Sequence, residues 1–133
     1  MTRIPACVAV LFTALGVASC GAESVEAPTL KVVDGSFQGE LSRSPAPSVV
    51  GENTLTLELR DENGEPLETA TVVISPWMPA HGHGSRDVTA DEEQPGRYVT
   101  KRLLFNMPGR WDLRVAVEVD GEEGHLLGSL EVP

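Results

Sequence analysis

The chain has 133 residues, 41% hydrophobic and 23% charged, which is enough for one domain around one core and too little for two. Its formal charge of −10 repels phosphate backbones and argues against a nucleic-acid partner. The same charge suits a well-solvated surface or the handling of cations.

Residues 1–19 combine a basic start at Arg3, an apolar run over 7–17 and a closing pair of small residues. The run is too short to span a bilayer comfortably and fits an export signal. The junction Val17-Ala18-Ser19-Cys20-Gly21 resembles the bacterial lipoprotein signal. That resemblance implies cleavage before Cys20 and lipidation there, with a diacylglycerol thioether and an amide-linked acyl chain such as palmitate. Gly21, rather than aspartate, after the cysteine implies the outer membrane, facing the periplasm, in a two-membrane bacterium. The alternative is an ordinary cleaved signal with a chance cysteine. Arg3 is the only charge in 1–19, so cleavage shifts the formal charge from −10 to −11. Cys7 departs with the signal and lipid blocks Cys20, leaving neither a disulfide nor a thiolate for a metal. Residues 20–35 then form the lipidated cysteine and a flexible tether, rich in small, acidic and proline residues.

The domain is expected over 36–133. A first strand over 36–42 puts Phe37, Gly39 and Leu41 on one face, and the Ser44-Pro45-Ala46-Pro47-Ser48 stretch ends it. Residues 53–60 alternate, with Leu55, Leu57 and Leu59 against Thr54, Thr56, Glu58 and Arg60, the period of a half-buried strand. Asn63-Gly64 predicts a tight hairpin reversal into a strand over 67–75, where Thr71, Val72, Val73 and Ile74 are β-branched. A short edge strand over 86–90 precedes an acidic turn over 91–96. The strand over 97–105 has its alternation broken by Lys101-Arg102, which predicts a bulge or a weakly covered face. Tyr98 is either a tyrosine corner or an aromatic at the core edge. Residues 111–119 alternate most clearly, with Trp111, Leu113, Val115, Val117 and Val119 facing one way. After a turn at 120–124, Leu126, Leu130 and Val132 mark the last strand. No ten-residue stretch after the signal carries a helical apolar period. The fold class is therefore all-β, an immunoglobulin-like β-sandwich of about seven strands, with a small barrel as the competing architecture.

Two proline- and glycine-broken segments stand apart: Pro76-Trp77-Met78-Pro79-Ala80-His81-Gly82-His83-Gly84 and Phe105-Asn106-Met107-Pro108-Gly109-Arg110-Trp111. They hold two of the three histidines, two of the three methionines and both tryptophans. Both read as loops at strand ends. Imidazole suits copper and zinc while thioether sulfur selects Cu(I), so His81, His83, Met78 and Met107 point to copper. The competing reading makes Met78 and Met107 caps on the core and leaves the histidines solvated. His125 lies in a different hairpin and is left out of the site. Ser85, His81 and Asp87 contain the letters of a catalytic triad, but they share one Gly-rich loop with no second element to orient a base. The chain has no phosphate-cradling glycine loop and no dinucleotide fingerprint, so the expectation is a protein that is not an enzyme.

With these residues in view, the domain resembles the YtkA-like domain family. The resemblance rests on Gly51-Glu52-Asn53 before a Leu-rich strand, the turn over 61–66, and Met78-Pro79-Ala80-His81-Gly82-His83-Gly84. It continues through Pro95-Gly96-Arg97-Tyr98 and Phe105-Asn106-Met107-Pro108-Gly109-Arg110-Trp111. It implies an extracytoplasmic β-sandwich related to FixH-type and CopC-type proteins, some of them associated with copper handling. The histidine at the mature N-terminus of CopC-type proteins has no counterpart here, because this chain would begin at acylated Cys20. Two functions follow: a lipid-anchored, metal-binding or metallochaperone-like protein with Cu(I) as the favoured ion, or a metal-free accessory or interaction module on the same sandwich. Its partners would be the membrane, through the lipid, and an unidentified protein in metal handling or a membrane complex.

Overall fold

The computed structural model describes residues 28–133. The signal segment, Cys20 and the start of the expected tether lie outside the described residues. Two antiparallel sheets pack face to face. One contains, in spatial order, β1 (Thr29–Asp34), β10 (Glu122–Val132), β9 (Gly109–Val119), β4 (Thr71–Met78) and β5 (His83–Gly84), with β6 (Val88–Thr89) also pairing with β4. The other runs β2 (Gln38–Ser44), β3 (Gly51–Arg60), β8 (Arg97–Phe105) and β7 (Asp91–Gln94).

The alternations in the sequence become the inner faces of this sandwich. Leu55, Leu57 and Leu59 of β3 are buried, as are Trp111, Leu113, Val115 and Val117 of β9. They meet Val72, Ile74 and Met78 of β4, Leu103 and Phe105 of β8, and Leu126, Leu130 and Val132 of β10 in one core cluster. Burying a Leu or Val side chain is worth about 1.5–3 kcal/mol, and the described residues contain no cysteine, so this interlock carries the stability. The expected bulge is present in β8. Register passes from Asn53↔Leu103 to Leu55↔Thr100, which leaves one extra residue on β8, and Arg102 adopts a φ of 63°.

Three strands exceed the expected seven, and each lacks an apolar signature. β1 occupies residues assigned to the tether. It pairs with β10 as an edge strand whose Val32 and Val33 are exposed, so no alternation marks it. β5 is two residues within the Gly-rich loop. β7 takes the place of the acidic turn; all four of its residues are exposed, and it is held to β8 by backbone pairing with no apolar face to bury. Glu93 is the extra residue in that pairing, and its carboxylate lies 3.3 Å from Lys101 Nζ. A bulged, acidic edge of this kind resists pairing with another chain.

The expected hairpin at Asn63-Gly64 is a different structure. Only Gly64 has positive φ there, at 80°, whereas a type I′ turn needs two such residues. Asp61 builds the turn instead: its Oδ1 accepts the Asn63 and Glu65 N–H groups at 2.9 and 3.0 Å. The chain makes one bridge between Arg60 and Pro66, donates Leu67 N–H to the Leu59 carbonyl, and then crosses to the other sheet, where β4 pairs with β9.

Tyr98 secures that crossing. Its hydroxyl accepts the Ala70 N–H at 3.0 Å, and its one proton faces two acceptors at 2.6 Å, the Leu67 carbonyl and Glu92 Oε2. Glu92 Oε2 also accepts the Thr69 N–H at 2.7 Å, so the short segment between β3 and β4 is tied at three points. Burial, followed by the hydrogen bond to the Glu92 carboxylate, pushes the phenol up to about 12 from its ordinary 10. The folded chain therefore keeps the proton to about pH 12 and the unfolded chain only to about pH 10. Stability from this group is intact below pH 10 and falls as pH rises towards 12. Tyr98→Phe should cost about 1–3 kcal/mol at neutral pH by leaving the Ala70 and Leu67 backbone groups short of a partner. It should also flatten the alkaline decline; urea midpoints across pH 9–12 that match the parent's would contradict this role.

Candidate functional site

The hairpin that carries both candidate histidines begins where β4 ends. The N–H groups of His81 and Gly82 donate to the Met78 carbonyl at 3.2 and 3.0 Å, closing a turn over 79–82. Gly82 takes a left-handed φ of 65° there, a conformation that costs a residue with a Cβ about 1–2 kcal/mol. On the return, His83 lies opposite Met78 and Gly84 opposite Trp77. Directly opposed residues of an antiparallel pair point to the same face with Cβ atoms about 5 Å apart. His83 therefore shares the inner face with Met78.

The two imidazoles lie close together, with ring centroids 5.8 Å apart and planes tilted by 39°. His81 is exposed and His83 half-buried. The His83 ring stands edge-on to Trp111, 6.4 Å between centroids at 72°. Trp111, fully buried at the start of β9, packs against Phe105 at 5.2 Å and donates its indole N–H to the Met107 carbonyl at 3.1 Å. That bond closes the connection by which the chain passes from β8 back to the first sheet. Met107 is half-buried and packs against the core cluster.

Gly109, two residues before Trp111, leaves room for the Met78 side chain. A Cβ at Gly109 would come within 2.8 Å of Met78 Cε, and its φ of 129° is one that residues with a side chain rarely adopt. Met78 is thus seated in the core with only 1% of its surface exposed.

All four expected donors lie at one end of the sandwich but at different depths: His81 at the surface, His83 and Met107 below it, Met78 in the core. The two tryptophans do not converge. Trp77 points to the outer face of its sheet, where the Arg114 guanidinium lies 4.8 Å from its ring centroid. Trp111, read from the sequence as a strand residue, is the one that touches His83 and holds the Met107 backbone. His125 is far from this end: its Nδ1 lies 2.9 Å from Asp34 Oδ1 across the β1–β10 pair. Among the described residues no three His, Cys, Asp or Glu side chains are grouped to hold a metal ion. A metal on the two imidazoles would therefore draw further ligands from thioether sulfur or from outside the chain.

The sequence model of the YtkA-like family matches residues 32–116, a span from β1 into β9 that contains His81, His83, Met78 and Met107. None of the curated proteins compared matches the chain.

Gly109→Ala should destabilise the domain by about 1–3 kcal/mol, combining backbone strain with displacement of the Met78 methyl. Gly82→Ala, with open space around it, should lose only about 1–2 kcal/mol, the left-handed backbone cost. Chemical unfolding of the two variants measures the difference. Equal losses would show that the Met78 seat is not tight.

Proposed function

Because the chain belongs to the YtkA-like family, we propose that it is a membrane-anchored extracytoplasmic lipoprotein, acylated at Cys20, that binds Cu(I) through His81 and His83. Met107 and Met78 are its thioether neighbours. The observation that carries this reading is the pair of imidazoles 5.8 Å apart on an exposed hairpin, with Met78 opposite His83 and Met107 held by the same Trp111 that His83 touches. Cu(I) accepts low coordination and soft donors, so two imidazoles and one or two thioethers suffice. Met107, half-buried, is the nearer thioether to solvent, and Met78 lies beneath His83. Trp111 supports the group from below, its edge contact orienting His83 and its indole hydrogen bond holding the Met107 backbone.

The role is metal handling and not catalysis. Ser85, the only hydroxyl among the triad letters, has its Oγ buried without a hydrogen-bond partner, whereas an activated nucleophile needs a base within reach. A metal-free accessory or interaction module is the second reading. The near-complete burial of Met78 favours it, because a core side chain needs no metal to explain its place.

A competition titration against a Cu(I) chelator, on the chain from Gly21 onward, separates the two. The parent should compete, His81→Ala/His83→Ala should not, and Met107→Leu should weaken binding by roughly tenfold, about 1.4 kcal/mol, with its fold unchanged. A parent that fails to compete, or a double-histidine variant that competes equally well, leaves the metal-free module standing.

A further inference from the structure

We propose that the end of the sandwich bearing the His81–His83 hairpin faces the lipid bilayer, with Val49, Val50 and Leu104 resting against the bilayer surface. This rests on the reading that Cys20 is acylated, and on three features of the fold.

The first is where the chain enters the domain. Thr29 pairs with Ser129, and Ser129 with Asp112, which in turn pairs with Trp77 beside the end of β4. β1 therefore begins near the end of the molecule where β4 stops and β9 starts, the end that holds His81, His83 and Met107. A lipid on Cys20 is joined to the domain at its site end.

The second is length. Nine residues, 20–28, separate the anchor from β1 inclusively, and a relaxed chain of that length spans about 17 Å. Turning the molecule over would lift the entry point by the stretch of β10 from Glu122 to Ser129, about 24 Å at 3.4 Å per residue. The tether would then have to be held stretched, against its chain entropy. The site-down placement needs no stretching.

The third is an apolar rim at the same end. Gly51 at the start of β3 pairs with Phe105 at the end of β8, and Glu52 pairs with Leu104. Just before β3, Val49 and Val50 are 43% and 49% exposed, and Leu104 is 46% exposed. The loop that presents the two valines is tightly held. Buried Asn53 accepts the Val49 N–H at 2.9 Å and donates to the carbonyls of Val49 and Gly51 at 2.7 and 3.0 Å. A fixed loop that turns two adjacent valines outward, next to an exposed leucine, suits an apolar interface. The opposite end carries the acidic turn at Asp61, Glu62 and Glu65 and the acidic β7.

The consequence is that the histidine hairpin opens towards the headgroups. A metal carried there would be exchanged with a partner at or in the membrane.

The test uses the full, processed chain in phosphatidylcholine vesicles containing a lipid with a nitroxide on its acyl chain. Val50→Cys and Asn63→Cys, both exposed positions, each carry a thiol-linked fluorophore, and the mass of the N-terminal peptide records acylation. Strong quenching at position 50 and little at 63 is expected. Equal quenching on an acylated chain, or stronger quenching at 63, overturns the orientation and leaves the anchor intact. An unacylated Cys20 with no vesicle binding overturns the anchor and the orientation with it.

Discussion

A sandwich whose described residues contain no cysteine must hold, by non-covalent contacts alone, the connections at which its chain leaves one sheet for the other. At each such crossing the backbone leaves its ladder, and its polar groups need new partners. At two of the four crossings among the described residues, buried aromatic rings with polar handles supply them. Tyr98 serves the crossing from β3 to β4 through Leu67 and Ala70, and Trp111 serves the crossing from β8 to β9 through Met107. Each ring contributes a large apolar body to the core and one polar group at its rim, which is why tyrosine and tryptophan fit these positions where leucine would not. The two rings secure opposite ends of the domain, and Trp111 secures the end that carries the candidate site.

That placement links stability to the site. Trp111 is at once a core side chain, a neighbour of Phe105, the surface against which His83 rests, and the donor that fixes the Met107 carbonyl. Met78 plays two parts as well. Its carbonyl closes the turn that presents His81, and its side chain fills the core beside Gly109. The hairpin is therefore held from its root, with open surface only at its tip.

What was legible in the sequence follows from how each feature is encoded. Strands β3 and β9 announce themselves because one face is buried, and burial selects an apolar residue at every second position. The bulge at Lys101-Arg102 was legible as a break in that rule. Strands β1, β5 and β7 were not, because an exposed edge or a two-residue bridge imposes no apolar pattern. The turn at Asn63-Gly64 was misjudged because the Asp61 carboxylate captures two N–H groups and redirects the chain, a choice that the dipeptide alone does not record. The backbone partners of Tyr98 lie 28 and 31 residues upstream, so only packing reveals them. The gathering of Met78, His81, His83 and Met107 at one end could be anticipated from two loops at strand ends. Their unequal depth could not, although parity along β4 already separates buried Met78 from outward Trp77.

The central claim is that the two-histidine hairpin, backed by Met107 and Trp111, is a Cu(I) site. Its most direct test is an anaerobic Cu(I) titration of the isotope-labelled domain followed by NMR. Shifts should be confined to residues 78–84 and 105–111, should include the His81 and His83 ring signals and the Met107 methyl, and should leave the Tyr98 crossing unmoved. Spectra that do not change, or change first at His125 and Asp34, would contradict it.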